Sequence, residues 1–236
     1  VKEDIFNVKP PSYRFDLAIE EDFIEELARI YGYDHIPAHF PHASMAMLPA
    51  SETERSSMEL KQLLVARDYQ EVINYAFVDA DWELDFVNNS TPVTLKNPIA
   101  SQMSVMRSTL IGGLISNLQF NLNRKQIRVR LFEVGCCFVR GDASDCKQIE
   151  RIAGLSYGDV VFEQWGAPAR NVDFYDVKAD LEVLCRGRSI HFKKLPHPAL
   201  HPGKSAQICV EDKSIGWLGE LHPRWQKKYG LQKNTV

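Results

Sequence analysis

Apolar residues recur along this chain with two periods, one near 3.6 and one of two residues, and the order in which the periods succeed each other predicts its elements. Residues 10–16 begin with two prolines, which remove backbone donors and hold the segment extended. A helix is predicted over 20–31, where Phe23, Leu27, Ile30 and Tyr31 follow helical spacing and Gly32 closes the run. Residues 37–49 are rich in Pro, His and Ala, lack a period and read as a linker. A second helix is expected over 51–68, with Leu60, Leu63 and Leu64 as its buried stripe and Ser51 with Glu54 as a capping box. Strands follow at 72–78 and 93–95, then a third helix at 106–121 with Leu110, Ile111, Leu114, Ile115 and Leu118 on one side. Its central pair Gly112-Gly113 costs about 1 kcal/mol per glycine, a cost that makes sense if another element, such as a partner helix, packs against the backbone there.

The second half turns to strands. Residues 129–139 form a long one interrupted by Gly135, and 151–157 and 189–195 form others. Residues 206–210 and 214–218 read as a hairpin around Glu211-Asp212-Lys213. A helix over 173–185 carries Val177, Leu181 and Leu184 on one side, and a short final helix opens at Pro223 and stops before Gly230. Strands in runs, with helices between the runs, are the pattern of an α+β fold: an antiparallel sheet flanked by helices.

Composition narrows this picture without changing it. With 44% hydrophobic and 25% charged residues the chain has the make-up of a soluble globular protein, and no apolar run is long enough to span a bilayer. No signal peptide is visible. The chain starts at Val1 and stops after Thr235-Val236, which reads as a piece of a longer polypeptide. A net charge of -3 argues against bulk electrostatic wrapping of nucleic acid. The five cysteines are odd in number and form no C-x-x-C pair, so they read as reduced thiols of a cytoplasmic protein.

The sharpest chemical cluster is acidic. Asp22, Glu25 and Glu26 fall at offsets that place three carboxylates on one side of the first helix, and Asp16 lies on the segment leading in. Like charges this close need water, a helix N-terminus, basic partners or a metal, and an all-carboxylate set suits Mg²⁺ or Ca²⁺. On spacing alone a solvated acidic face is the default. His197 and His201 are each followed by proline, which excludes a regular helix, and read as loop histidines without a site. No phosphate-cradling glycine motif and no nucleophile elbow occur. Arg124, Lys125, Arg128 and Arg130 form either a solvated turn or an RNA-phosphate contact, and Trp217, Trp225 and Tyr229 read as core or interface aromatics.

Several stretches together resemble the β subunits of bacterial phenylalanine–tRNA ligases. They are Pro11-Ser12-Tyr13-Arg14-Phe15-Asp16, the helix from Ile19 to Tyr33, Met103-Ser104-Val105-Met106-Arg107, Arg130-Leu131-Phe132-Glu133-Val134-Gly135, Asp176-Val177-Lys178-Ala179-Asp180, His201-Pro202-Gly203-Lys204-Ser205-Ala206 and Leu218-Gly219-Glu220-Leu221-His222-Pro223. The resemblance covers nearly the whole chain in order. It implies that 1–38 is the end of a small helical domain and 39–236 a module like a class II synthetase catalytic domain. It implies a Mg²⁺ site at Asp16, Asp22, Glu25 and Glu26. Of the arginine-bearing motifs by which class II synthetases grip ATP, the second survives only as Arg130-Leu131-Phe132-Glu133, and no G-x-G-x-x-R third motif is present. The implied role is therefore a non-catalytic scaffold. Its partners are a catalytic α subunit in an α₂β₂ heterotetramer, ATP and phenylalanine at that subunit, and tRNA(Phe) in the full complex. The helices at 51–68 and 106–121 are the candidate interface helices.

Overall fold

In the computed structural model, which describes residues 5–42, 55–141 and 146–236, the first helix, α1 (Glu20–Tyr31), starts where an acidic side chain satisfies its orphan amides. The carboxylate of Asp22 accepts from the backbone N–H groups of Ala18 and Ile19, at 2.8 and 2.9 Å. Gly32 ends it: at φ 96° it adopts a backbone that a side chain would strain, and its N–H bonds to the carbonyl of Ala28 at 2.8 Å. A single 3₁₀ turn, Tyr33–His35, follows. The segment before α1 is not fully extended. Proline lacks a donor but keeps its acceptor, and the carbonyl of Pro11 takes a hydrogen bond from Arg14 N at 3.0 Å to close a turn. These elements belong to the first of two units into which the chain divides, Val1–Ser51 and Glu52–Val236.

The second unit opens with α2 (Ser57–Ala66), capped by Ser56, whose Oγ accepts from Glu59 N at 3.2 Å. The helix is shorter than expected at both ends, and Ser51 and Glu54 lie outside the described residues. The expected strand at 72–78 is split. β1 (Gln70–Glu71) runs parallel to β4 (Val129–Arg140), and β2 (Phe77–Val78) pairs antiparallel with β3 (Val105–Met106). Residues 93–95 contribute an isolated bridge, Thr94 to Val105. Between β2 and β3 lies α3 (Ala80–Val87), capped by Asp79 and not foreseen. Its residues Asp81 to Phe86 alternate polar and apolar, a strand-like period that hid a helix.

Helix α4 (Ile111–Leu122) leads into β4, which pairs antiparallel with β5 (Cys146–Tyr157) from Val129↔Tyr157 to Arg140↔Cys146. Then come α5 (Phe174–Leu184), capped by Asp173, and an antiparallel sheet of β6 (Ile190–Lys194), β7 (Leu200–Val210) and β8 (Lys213–Leu221). Strand β7 starts earlier than its pattern suggests because a register shift between Leu200 and Ser205 interrupts the alternation. Helix α6 (Pro223–Lys228) follows. Antiparallel pairing dominates and helices flank it, so the fold is α+β, with β1–β4 as a parallel exception.

Two cores meet on β4. On one face Val129 and Leu131 pack with Leu114, Ile115 and Leu118 of α4. On the other, Phe132, fully buried, packs with Leu64 of α2 and Tyr69. The two three-stranded sheets are tied by one short segment. Val236 exchanges both backbone hydrogen bonds with Ser156 of β5, at 2.7 and 3.0 Å, while the carbonyl of Thr235 accepts from Leu221 N of β8 at 2.7 Å.

The glycine pair of α4 is explained inside the chain. A Cβ on Gly112 would enter the ring of Trp82 on α3, and one on Gly113 would sit 2.9 Å from Nδ2 of Asn74. Gly112→Ala is therefore expected to destabilise the protein by about 1–3 kcal/mol through overpacking, despite a helix-propensity gain of about 1 kcal/mol. Urea denaturation at constant m-value checks this, with Ser116→Ala on the exposed side of α4 as the neutral comparison.

Candidate functional site

The carboxylates of the first unit are brought together in part. Asp16 and Glu26 converge on one cationic group, the guanidinium of Arg14, each at 2.7 Å. Glu26 also pairs with Arg29 one turn on. These hydrogen bonds from arginine hold the carboxyls of Asp16 and Glu26 below the usual carboxylate range. Asp22 is lowered as well, by the amides of Ile19 and Ala18 that it caps. Glu25 stands exposed on the helix. Among the described residues no three His, Cys, Asp or Glu side chains share a position for one ion. The donor set is hard oxygen, and Arg14 stands where a cation between Asp16 and Glu26 would sit.

In the second unit the polar centre is built on β4. Strand alternation puts Leu131 and Glu133 on the α4 face and Arg130 and Phe132 on the opposite one. Glu133 is 1% exposed, and Arg107, 6% exposed, donates to it through Nη1 at 2.6 Å. Asn74 adds a backbone N–H at 3.2 Å and a side-chain N–H at 2.8 Å to the same carboxylate. Asn117 of α4 donates in turn to Oδ1 of Asn74 at 2.7 Å, and Arg107 Nε donates to the carbonyl of Cys136 at 3.0 Å. Glu83 of α3, fully buried, takes hydrogen bonds from Ser108 N at 2.8 Å, the Ser108 hydroxyl and Asn89 Nδ2. These are closed networks in which each buried charge has its partners.

Arg130 is spent on the other face. It lies 3.1 Å from Asp180 of α5, which Arg67 also holds at 2.6 Å and the hydroxyl of Tyr69 at 2.9 Å. Burial is the main cause that drives the phenol of Tyr69 well above its ordinary pKa, aided by the charge of Asp180. Arg128 pairs with Asp68 and donates to the carbonyls of Asp159 and Val160. Together with Arg170, which binds Asp176 at 2.6 Å, these arginines line a cleft of about 500 Å³. The expected basic patch thus divides: Arg124 and Lys125 stand exposed on the turn after α4, as a solvated turn requires, whereas Arg128 and Arg130 offer no open phosphate surface. Arg128 and Arg130 are held inward by acids far away in sequence, and Arg124 lies over the ring of Phe120. Trp225 is a core residue, and the hydroxyl of Tyr229 donates to Asp85 at 2.7 Å. His197 lies in the loop before β7, where burial lowers its pKa, and His201 lies in the irregular start of β7 between the paired residues Leu200 and Ser205.

Sequence reasoning missed the structural weight of Arg107, Glu83 and Asp180. The signal available was a charge set among apolar neighbours, as in Val105-Met106-Arg107 before Leu110-Ile111.

The family model of the phenylalanyl tRNA synthetase beta chain CLM domain matches residues 36–236, and that of the tRNA synthetase B5 domain matches residues 1–33. This chain belongs to the phenylalanyl-tRNA synthetase β chain family. It is 60% identical over 232 residues to the phenylalanine–tRNA ligase β subunit of Nitrosospira multiformis, covering 98% of this chain and 29% of that one. With the same subunit of Ralstonia nicotianae it is 52% identical, covering 100% of this chain and 30% of that one. The chain thus spans less than a third of the length of these relatives. The crystal structure of a pyrrolysyl-tRNA synthetase from Desulfitobacterium hafniense superposes with a TM-score of 0.52 at 11% identity, covering 92% of this chain and 71% of that one. The likeness extends the family assignment to the fold: this β chain shares the architecture of class II synthetases. Among the described residues no helix is long and apolar enough to cross a membrane.

The Arg107–Glu133 pair is the place to test the closed network. Arg107→Ala strands a buried carboxylate and is expected to cost about 3–5 kcal/mol, whereas the double variant Arg107→Met/Glu133→Leu should lie much closer to the parent. A double-mutant cycle by urea unfolding measures the difference.

Proposed function

We propose that this chain is the scaffold and interaction module of a phenylalanine–tRNA ligase β subunit. It assembles with an α subunit as an α₂β₂ heterotetramer in the cytoplasm. The α subunit binds ATP and phenylalanine and carries the chemistry, and tRNA(Phe) joins the full complex. One observation carries this reading. Charge developing at an α-phosphate needs a preorganised guanidinium. On β4 the arginine and glutamate of the motif remnant lie on opposite faces, each closed in its own ion pair, and Leu131 between them belongs to the apolar core. What the module contributes is rigid surface. The five free thiols agree with a reducing compartment.

Of Asp16, Asp22, Glu25 and Glu26, the converging pair Asp16 and Glu26 would hold Mg²⁺, which supplies a fixed double positive charge when bound. Such binding competes with Arg14 for Asp16 and Glu26. Calorimetric titration is expected to show Mg²⁺ binding that Arg14→Gln strengthens and Glu26→Gln weakens. Absence of heat at millimolar Mg²⁺ in both the parent and Arg14→Gln would dismiss the metal.

Co-expression with the α subunit is expected to yield one complex by mass measurement, with phenylalanylation of tRNA dependent on both chains. Phenylalanine-dependent pyrophosphate exchange by this chain alone would overturn the scaffold reading.

A further inference from the structure

Three His-Pro pairs in the second unit make one and the same turn. In each, the histidine Nδ1 accepts the backbone N–H two residues on: His197 from Ala199 at 3.2 Å, His201 from Gly203 at 3.0 Å, His222 from Arg224 at 3.1 Å. The proline between them fixes φ and presents that amide to the ring. A backbone N–H can only donate, so Nδ1 must be the bare lone pair, and the proton of the neutral imidazole sits on Nε2. The turn chemistry therefore sets the tautomer and leaves each ring with an N–H donor at its far end.

Two of these rings, His197 and His222, line a common cleft of about 420 Å³ together with Arg224. Its walls include Pro198, Leu200 and Pro202, and no carboxylate lines it. The ring of His197 is steadied by Trp217, with centroids 4.4 Å apart, and the guanidinium of Arg224 lies 3.9 Å over the ring of Trp225. Among the described residues neither imidazole Nε2–H nor the Arg224 guanidinium has a protein acceptor. The contrast with the larger cleft is direct, because every arginine there is matched by an aspartate.

We propose that this cleft binds a phosphodiester of an RNA strand. The donor set wants an anionic acceptor. The fixed charge of the cleft is the single positive charge of Arg224, which matches the single charge of a phosphodiester better than the second charge of a phosphate monoester. The flat apolar walls offer a surface for the adjoining ribose or base, as in other single-strand grooves. The net charge of the chain, -3, makes this a local contact rather than a general affinity for polyanions. The proposal rests on the chain working in a tRNA ligase, since that supplies the RNA.

The test is fluorescence anisotropy of a labelled single-stranded RNA octamer on the full chain, with Nε2–H resonances of His197 and His222 followed by NMR. His222→Asn is the informative variant, because asparagine keeps the acceptor for Arg224 N and removes only the far donor. Arg224→Gln is expected to weaken the octamer about tenfold and to lower the salt slope by about one, His222→Asn to weaken it a few-fold with unchanged circular dichroism. Both resonances should shift with RNA. Equal binding by the parent and both variants, or no resonance shift at saturating RNA, overturns the proposal. So does competition by inorganic phosphate or acetate at the concentration of RNA phosphates, which would make the site a free-anion or carboxylate site. None of these readouts involves the α subunit, so a failure here leaves the assembly reading intact, and failed assembly is seen separately by mass.

Discussion

Strand β4 is buried on both faces over Val129 to Glu133, and that constraint organises the second unit. A two-faced strand allows no position to be indifferent. Each side chain must match either the α4 side or the side of α2 and α5, and the two charged ones must meet an opposite charge where they land. Arg107 answers Glu133 and Asp180 answers Arg130, each brought in from elsewhere in the chain. Gly135, two residues on from Glu133, has no side chain because a Cβ there would collide with the Arg107 guanidinium. In a low-dielectric interior an incomplete pair is costly, so these residues stand or fall together.

The same arrangement fastens the layers of the second unit to one another. Buried, saturated ion pairs give a chain specificity of packing more than net stability. In this chain Asp180 fastens α5 to Arg67 at the end of α2 and to Arg130 of β4. Among the described residues of the second unit, the cleft at the His-Pro turns stays chemically open, because the outer N–H groups of its imidazoles have no acceptor.

Most helices were legible because each carries its own local signals, such as Gly32 after α1, Asp173 before α5 and Pro223 at the start of α6. Helix α3 was hidden because Asp81 to Phe86 alternate like a strand, and its buried Glu83 reads as a surface residue until Ser108 and Asn89 are seen around it. The pairing of β1 with β4 joins Gln70 to Leu131, a long-range contact that no local period encodes. Spacing put Asp22, Glu25 and Glu26 on one side of α1, but the role of Arg14 was not legible, since a turn at Pro11 brings it back toward Glu26. Gly112 and Gly113 signalled close packing correctly, while the partner, Trp82 with Asn74, lies within the chain.

The tie through Thr235 and Val236 has a consequence for biosynthesis. The β4–β5 ladder is local and can close as soon as Tyr157 has left the ribosome, whereas its link to β8 waits until residues 158–236 have followed. At roughly 5–20 residues per second that delay lasts on the order of several seconds, during which the Ser156–Tyr157 end of β5 is open to other nascent chains. Lys147, Glu150 and Arg151 stand further along the outer edge of β5. Charges of both signs there discourage a stray strand from docking on the part of β5 that residues 235–236 do not cover.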